Sequence, residues 1–319
     1  MSAPGEDWRP TASGERLRLR ATLLARTREF FGARHVLEVD TPLLVNAAVT
    51  DVHIHSVAVA APGLFLHTSP ESAMKRLLAA GSGDIYQICH VVRGFEQSRL
   101  HNTEFTLVEW YRLGFDLDDL MDEVEALVRV LCPAHPILQR PAQRLSYREV
   151  FQRHTRLDPF AATLPQLLGV VAHLGYREAA QRDELLDLIM GALIGPALGQ
   201  DTLTFVYGYP ASQAALARLD PGDPRTAQRF ELYGTGLELA NGFHELAAAA
   251  EQRARFAQDL SERERRGLAV PGMDERLLAA LAHGLPECSG VALGFDRVMM
   301  LAAGAAHIHE VVPFPTTTA

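Results

Sequence analysis

Lysine is almost missing from this 319-residue sequence: Lys75 is the only one, so basic charge is carried by arginine. Nothing in the sequence accounts for that bias. An excess of basic charge is lacking too. The formal net charge is −9 and the pI is near 5.8, which gives no support for broad nucleic-acid or membrane-surface binding while leaving room for a local basic patch. Cys89, Cys132 and Cys288 are widely spaced and form no CxxC pair, so a reduced, cytoplasmic protein is expected. The start, MSAPGEDWRPTASGER, has no signal-peptide apolar core, and no run approaches the ~20 apolar residues of a membrane span. Internal repeats, low-complexity segments, a Ser-His-Asp arrangement and zinc-ligand spacings are all absent. What remains is an ordinary globular composition, 48% hydrophobic and 22% charged, on a chain long enough for one large domain or two ordinary ones.

The stretch that stands out is 84–112, DIYQICHVVRGFEQSRLHNTEFTLVEWYR. Two β-rich runs, 84–93 and 103–112, flank a polar connection carrying Glu96, Arg99, His101 and Asn102, which predicts a hairpin with a long tip. Strand parity puts Phe105, Leu107, Glu109 and Tyr111 on one pleat face. A buried carboxylate such as Glu109 needs a partner, so this face is expected to meet a ligand; the alternative is a surface hairpin with a charged tip. Periodicity predicts helices over 14–34, 116–130, 247–266 and 274–283, and strands at 64–67, 202–210 and within 228–241. Helical patterns broken by Pro and Gly predict a helical insertion at about 132–198. Residues 1–13 read as a flexible N-terminal segment.

Three further groups carry chemistry. Ser69-Pro70-Glu71 has helix-start character, which capping alone would explain, but that start also presents unpaired N–H groups beside Glu71. Arg93, Arg99 and Arg297 are candidates for polyphosphate contacts, because guanidinium stays charged and grips phosphate oxygens bidentately; simple solvation is the alternative for Arg99. Glu238 and Glu245, seven residues apart, would face opposite sides of a straight strand. Asn241-Gly242 is expected to supply the bulge that brings them together, a pair suited to Mg²⁺. His101 and His244 are expected to serve as hydrogen-bonding or structural groups.

In order, these segments resemble the three motifs of class II aminoacyl-tRNA synthetases. The first helix with HVLEVDTPLL resembles motif 1, Arg93 followed by His-Asn-x-Glu-Phe resembles motif 2, and GVALGFDR ending at Arg297 resembles motif 3. The likeness runs from Ser13 to Pro315 and is closest to the lysine-type enzymes. Motif 1 begins almost at the start of the chain, so no N-terminal anticodon-binding OB domain is expected. ELANGFHEL, FVYGYPASQAALA and GVALG, with Ala292 where the synthetases have glycine, resemble the elongation factor P–(R)-β-lysine ligase family.

That resemblance implies an α+β fold, a class II synthetase-like antiparallel β-sheet flanked by helices, as one catalytic domain over 14–319. It implies ATP- and Mg²⁺-dependent activation of (R)-β-lysine or lysine as an acyl-adenylate, and transfer to a lysine ε-amino group of elongation factor P. Arg93 and Arg297 would be catalytic, Arg93 on the α-phosphate and acyl carboxylate, Arg297 against adenine and the γ-phosphate. Phe105 would stack on the adenine, unless it is plain strand core. Gly94, Phe95, Glu96, Asn102, Glu238, Leu239 and Gly294 would complete the ATP site. Ser69, Pro70, Glu71, Glu109, Tyr111, Asn241, Glu245 and Ala292 would hold the amino acid, and Glu238 with Glu245 the metal. A homodimer through motif 1 is implied, with no membrane and no tRNA partner. Two departures mark the chain: after the motif 2 strand lysine-type synthetases read Arg-Asn-Glu where this chain reads Arg93-Gly94-Phe95-Glu96, so the adenine-contacting carboxylate is displaced by one or replaced, and Ala247–Ala250 stands where relatives have polar and acidic residues. A free-standing tRNA-charging enzyme and a non-catalytic amino-acid- or adenylate-binding paralogue are the alternatives.

Overall fold

The structure, a computed structural model, describes residues 8–61, 63–175 and 181–319. In chain order its elements are α1 (Gly14–Gly32), β1 (Leu37–Glu38), β2 (Leu44–Val45), β3 (Val57–Ala58), β4 (Phe65–Leu66), α2 (Glu71–Ala79), β5 (Ile85–Val92), β6 (Glu104–Leu113), α3 (Leu117–Leu131), β7 (Gln143–Ser146), α4 (Tyr147–Thr155), α5 (Leu164–Val171), α6 (Arg182–Ile189), β8 (Thr204–Pro210), β9 (Thr226–Gly234), β10 (Leu237–His244), α7 (Ala249–Arg265), α8 (Glu275–Gly284), β11 (Cys288–Gly294) and α9 (Phe295–Ala303). Eight strands form one sheet in the order β1-β5-β6-β11-β10-β9-β8-β7, and β2-β4-β3 form a small second one. The six central strands are antiparallel, as expected, while both edge pairings, β1 with β5 and β7 with β8, are parallel.

Alternation along β6 sorts the two faces of the sheet. Val108 and Trp110 enter the main core with Val291, Leu293, Leu232 and Leu239 from neighbouring strands, under α1, α3 and α9. The helix α3 shows why it forms there. Asp116 caps it in a reciprocal box with Asp119, and Leu120, Met121, Val124, Leu127, Val128 and Leu131 make a buried stripe at helical spacing. Each such side chain contributes ~1.5–3 kcal/mol on burial. Phe105, Leu107, Glu109 and Tyr111 point to the opposite face. There only one end is closed by apolar packing, where Tyr111 meets Met74 and Leu78 of α2 and Leu277, Leu278 and Leu281 of α8.

Two expectations need correction. The flexible segment falls partly on residues 1–7, outside the described residues; from Thr11 onward the chain is tied down, its N–H and hydroxyl donating to Pro313 and Val312 carbonyls, with Ala12 buried. The insertion at 132–198 is not wholly helical. Gln143–Ser146 adds β7 to the sheet edge, and Tyr147, Phe151, Leu167 and Leu186 pack against Val206, Tyr209 and Tyr233 of β8 and β9. Four residues are too few for a period-2 pattern to announce a strand. Among the described residues no helix is long and apolar enough to cross a membrane.

Candidate active site

Sheet register lines up a row of four polar side chains, interrupted by Ala292, on one face. Gln87 of β5 pairs with Glu109 of β6, Glu109 with Ala292 of β11, Ala292 with Asn241 of β10, and Asn241 with Glu231 of β9. No apolar strand needs such a row; one cavity opens on it at Asn241 and Ala292, and a second reaches it through Ser69, which bonds Glu109.

The first, about 120 Å³, is arginine-lined. Arg93, Glu96, Asn102, Phe105, Glu238, Leu239, Asn241, Ala292, Gly294 and Arg297 all reach its wall, so ten positions named from the sequence converge there. Arg93 is carried at the end of β5, its guanidinium 5.1 Å from the Phe105 ring and its Nε donating to the Thr68 carbonyl at 3.4 Å. Arg297 lies in the first turn of α9. That turn is fixed from within the core side, where Asp296 accepts from the Thr106 N–H at 2.7 Å and pairs with Arg20 at 2.5 Å. Arg297 Nη1 donates to the Glu238 carbonyl at 2.8 Å, and Nη2 donates to His101 Nε2 at 2.7 Å. A guanidinium has only donors, so that His101 nitrogen must be the acceptor of a neutral ring. Burial and Arg297 lower the His101 pKa accordingly.

Four of the expected nucleotide contacts fare differently. Phe95 is turned out, 92% exposed, at φ 64°, with its ring edge-on to His55. Gly94 donates its N–H to the His55 carbonyl and does not reach the cavity. Asn102 reaches it with its amide already committed, donating to the Glu104 carbonyl at 2.6 Å and accepting from Thr316. Arg99 reaches outward to the Ala306 carbonyl.

The second cavity, about 500 Å³, has Ser69, Pro70 and Glu71 on its wall. Helix α2 starts at Glu71 with Pro70 at the cap position, one residue later than the Ser69 cap expected. Ser69 still accepts from the Glu71 N–H at 3.0 Å, and its hydroxyl donates to Glu109 Oε2 at 2.7 Å. The Tyr111 hydroxyl donates to Glu109 Oε1 at 2.8 Å. Below lies Lys75, 1% exposed, with Nζ 2.7 Å from Glu71 Oε1 and 2.5 Å from Glu245 Oε2. The contact with Glu245 is an ion pair without hydrogen-bond angles. Gly290 is required here, since a Cβ would lie 2.3 Å from the Tyr111 ring and 2.6 Å from Glu245 Oε1.

Two carboxylates, Glu71 and Glu245, thus share one ammonium, and Glu109 is held by two hydroxyls instead. Burial opposes the charge on Lys75, and Glu245 and Glu71 more than offset it, raising its pKa. Burial, then Glu71, pushes Glu109 up to about 8 against the two hydroxyl donors, and burial pushes Glu245 up to about 7 against Lys75. A cationic ligand must ionise Glu109 to pair with it. Affinity for a diammonium ligand is therefore expected to rise with pH from about 7 to 9 by calorimetry, with Glu109→Gln flattening the profile. The trend is opposite in the ligand-free protein: between the ordinary carboxylate pKa and about 8 the folded state holds more protons than the unfolded, so stability falls as pH rises through that window.

Glu238 and Glu245 are not brought together. The irregularity in β10 lies between Glu238 and Ala240, not at Asn241-Gly242. Glu238 turns to the arginine-lined cavity, 3.5 Å from Arg297, while Glu245 goes to Lys75. Burial and Glu231 raise the Glu238 pKa, an effect damped by water because 41% of its side chain is open. Among the described residues no three His, Cys, Asp or Glu side chains form a metal cage. Sequence reasoning missed Lys75 as a site residue, although a sole lysine four residues after Glu71 was a signal. It also missed Arg229 and Glu231, which pair at 2.5 Å behind Asn241, with Arg229 Nε donating to Asn241 Oδ1 at 3.2 Å.

The chain matches the family model described as tRNA synthetases class II (D, K and N) over residues 6–318. It is 50% identical to a Vibrio cholerae protein named elongation factor P–(R)-beta-lysine ligase, over 97% of this chain and 98% of that one. Proteins of the same name from Vibrio vulnificus and Klebsiella pneumoniae are each 47% identical, over 97% and 96% of this chain and 98% and 97% of theirs. Family model and relatives agree over almost the whole length, and the chain belongs to the class II tRNA synthetase family (D, K and N), in its elongation factor P–(R)-beta-lysine ligase group.

Proposed function

We infer that this protein is an AMP-forming ligase that activates (R)-β-lysine with ATP and transfers it to a lysine side chain of elongation factor P. The observation that carries the reading is the adjacency of a buried, hydrogen-bonded carboxylate pocket to an arginine-lined cavity on one sheet face. β-Lysine brings two ammonium groups and one carboxylate. Glu71, Glu109 and Glu245, with one ammonium already present in Lys75, leave anionic capacity for two more.

In the first half-reaction a carboxylate oxygen of the amino acid attacks the α-phosphorus, and pyrophosphate leaves. Arg93 offsets the charge that develops there, and Arg297, held against the Glu238 carbonyl, positions the nucleotide. Phe105 offers a face to the adenine from the wall of the same cavity. In the second, the acceptor amine attacks the acyl carbonyl, a proton is lost from nitrogen, and AMP leaves. Fixed geometry supplies proximity without a covalent enzyme intermediate. Mg²⁺ bound with ATP would neutralise phosphate charge. The open carboxylate of Glu238 fits that part, whereas Glu245, committed to Lys75, does not fit as a direct ligand.

Pyrophosphate exchange with (R)-β-lysine, (S)-β-lysine and L-lysine, followed by transfer to elongation factor P or tRNA, tests the reading. Exchange with none of the three sinks it; transfer to tRNA alone redirects it to a free-standing synthetase. A cytoplasmic homodimer completes the proposal. Leu37, Leu43 and Leu44 are exposed on the segment that follows α1, an apolar strip suited to a second copy. Sedimentation should give twice the mass of one chain, and Leu37→Asp should halve it; a monomeric parent protein rules the dimer out.

A further inference from the structure

Gln87, like Glu231, is a member of the row that no expectation covered, but Glu231 has its partners in Arg229 and Tyr233. Gln87 is 1% exposed, and neither its Oε1 nor its Nε2 has a hydrogen-bonding partner among the described residues. A primary amide offers two donors and an acceptor, and burying them unpaired is unfavourable. The register fixes where this amide lies. Gln87 stands directly opposite Glu109 in the β5–β6 ladder, on the same face, where facing Cβ atoms are ~5 Å apart. Glu109 nevertheless accepts from Ser69 and Tyr111 and not from Gln87. The Cys89 thiol, a neighbour of the amide, is a weak partner and does not reach hydrogen-bond geometry.

An ammonium carries three N–H donors and, once out of water, needs three acceptors. Glu109 and the carboxylates around Lys75 supply charge; a further carboxylate in so anionic a pocket would add repulsion. An amide oxygen supplies an acceptor without charge. Resting on the reading of this pocket as the diamino-acid site, we propose that Gln87 is a specificity-determining residue whose Oε1 accepts a hydrogen bond from the substrate's distal ammonium as that ammonium pairs with Glu109.

The test is pyrophosphate exchange by Gln87→Met, similar in volume and without polar atoms. KM for β-lysine rises about tenfold, equivalent to ~1.4 kcal/mol, while kcat and KM for ATP stay within about twofold. The ligand-free variant melts no lower than the parent, because the unpaired amide is gone. Gln87→Leu, also apolar and of similar size, raises KM for β-lysine about tenfold in the same way and serves if the methionine variant fails to fold. An unchanged KM for β-lysine in Gln87→Met overturns the proposal, as does a loss shared equally by β-lysine and ATP with a lowered melting temperature. Absence of exchange by the parent enzyme with every diamino acid overturns the reading of the pocket, and the proposal with it.

Discussion

Lys75→Met is expected to destabilise the folded protein by ~3–5 kcal/mol, because it leaves Glu245 and part of Glu71 as buried carboxylates without their cation. For a chain of this length that corresponds to a melting temperature lowered by on the order of 10 °C. Methionine matches the length of the lysine stem, so lost packing contributes little. The charge explanation makes a second demand. Adding Glu245→Gln removes the stranded carboxylate, so the double variant should melt between the single variant and the parent, a non-additivity proper to groups in contact. Thermal and denaturant melts read both. A single variant as stable as the parent would mean that Glu71 and Glu245 tolerate their burial without Lys75.

Arg93→Ala should act on rate and spare the fold. The guanidinium makes one long hydrogen bond, at 3.4 Å to the Thr68 carbonyl, and lies 5.1 Å from the Phe105 ring. Its removal should change stability by under about 1 kcal/mol, in line with surface substitutions. Removing a preorganised charge from the site where a pentavalent phosphorus develops should slow adenylate formation by about 10²–10³-fold. Arg93→Lys should recover part of that, since an ammonium restores charge without the planar fork. Exchange kinetics at saturating ATP and amino acid provide the measurement. A rate within threefold of the parent would remove Arg93 from the chemistry.

The sequence disclosed much of this where local pattern and local structure coincide. The parity of Phe105, Leu107, Glu109 and Tyr111, the acidic cap of α3 and the strand-to-helix turn at Gly294 each depend on neighbours in the chain. Less legible was anything decided across the sheet. The β10 irregularity sits beside Glu238 rather than at Asn241-Gly242, because pairing with β9, not glycine content, placed it. Phe95 faces outward because its backbone is left-handed and His55 occupies the space beside Gly94. Gln87 looked like any polar residue in a strand, and Lys75 like any basic residue in a helix. Periodicity reports which face a residue occupies, and whether a polar group on that face is matched depends on strands brought alongside from distant parts of the chain.

Burial of Lys75 also leaves the folded surface without a single ε-amine. Every other cationic side chain apart from histidine is a guanidinium, which stays protonated and is a poor acyl acceptor. An activated acyl group set loose beside this enzyme therefore meets no lysine ε-amine on its surface. The ε-amines within its reach belong to other molecules, so the amide bond this chemistry makes is not formed on the enzyme's own lysine.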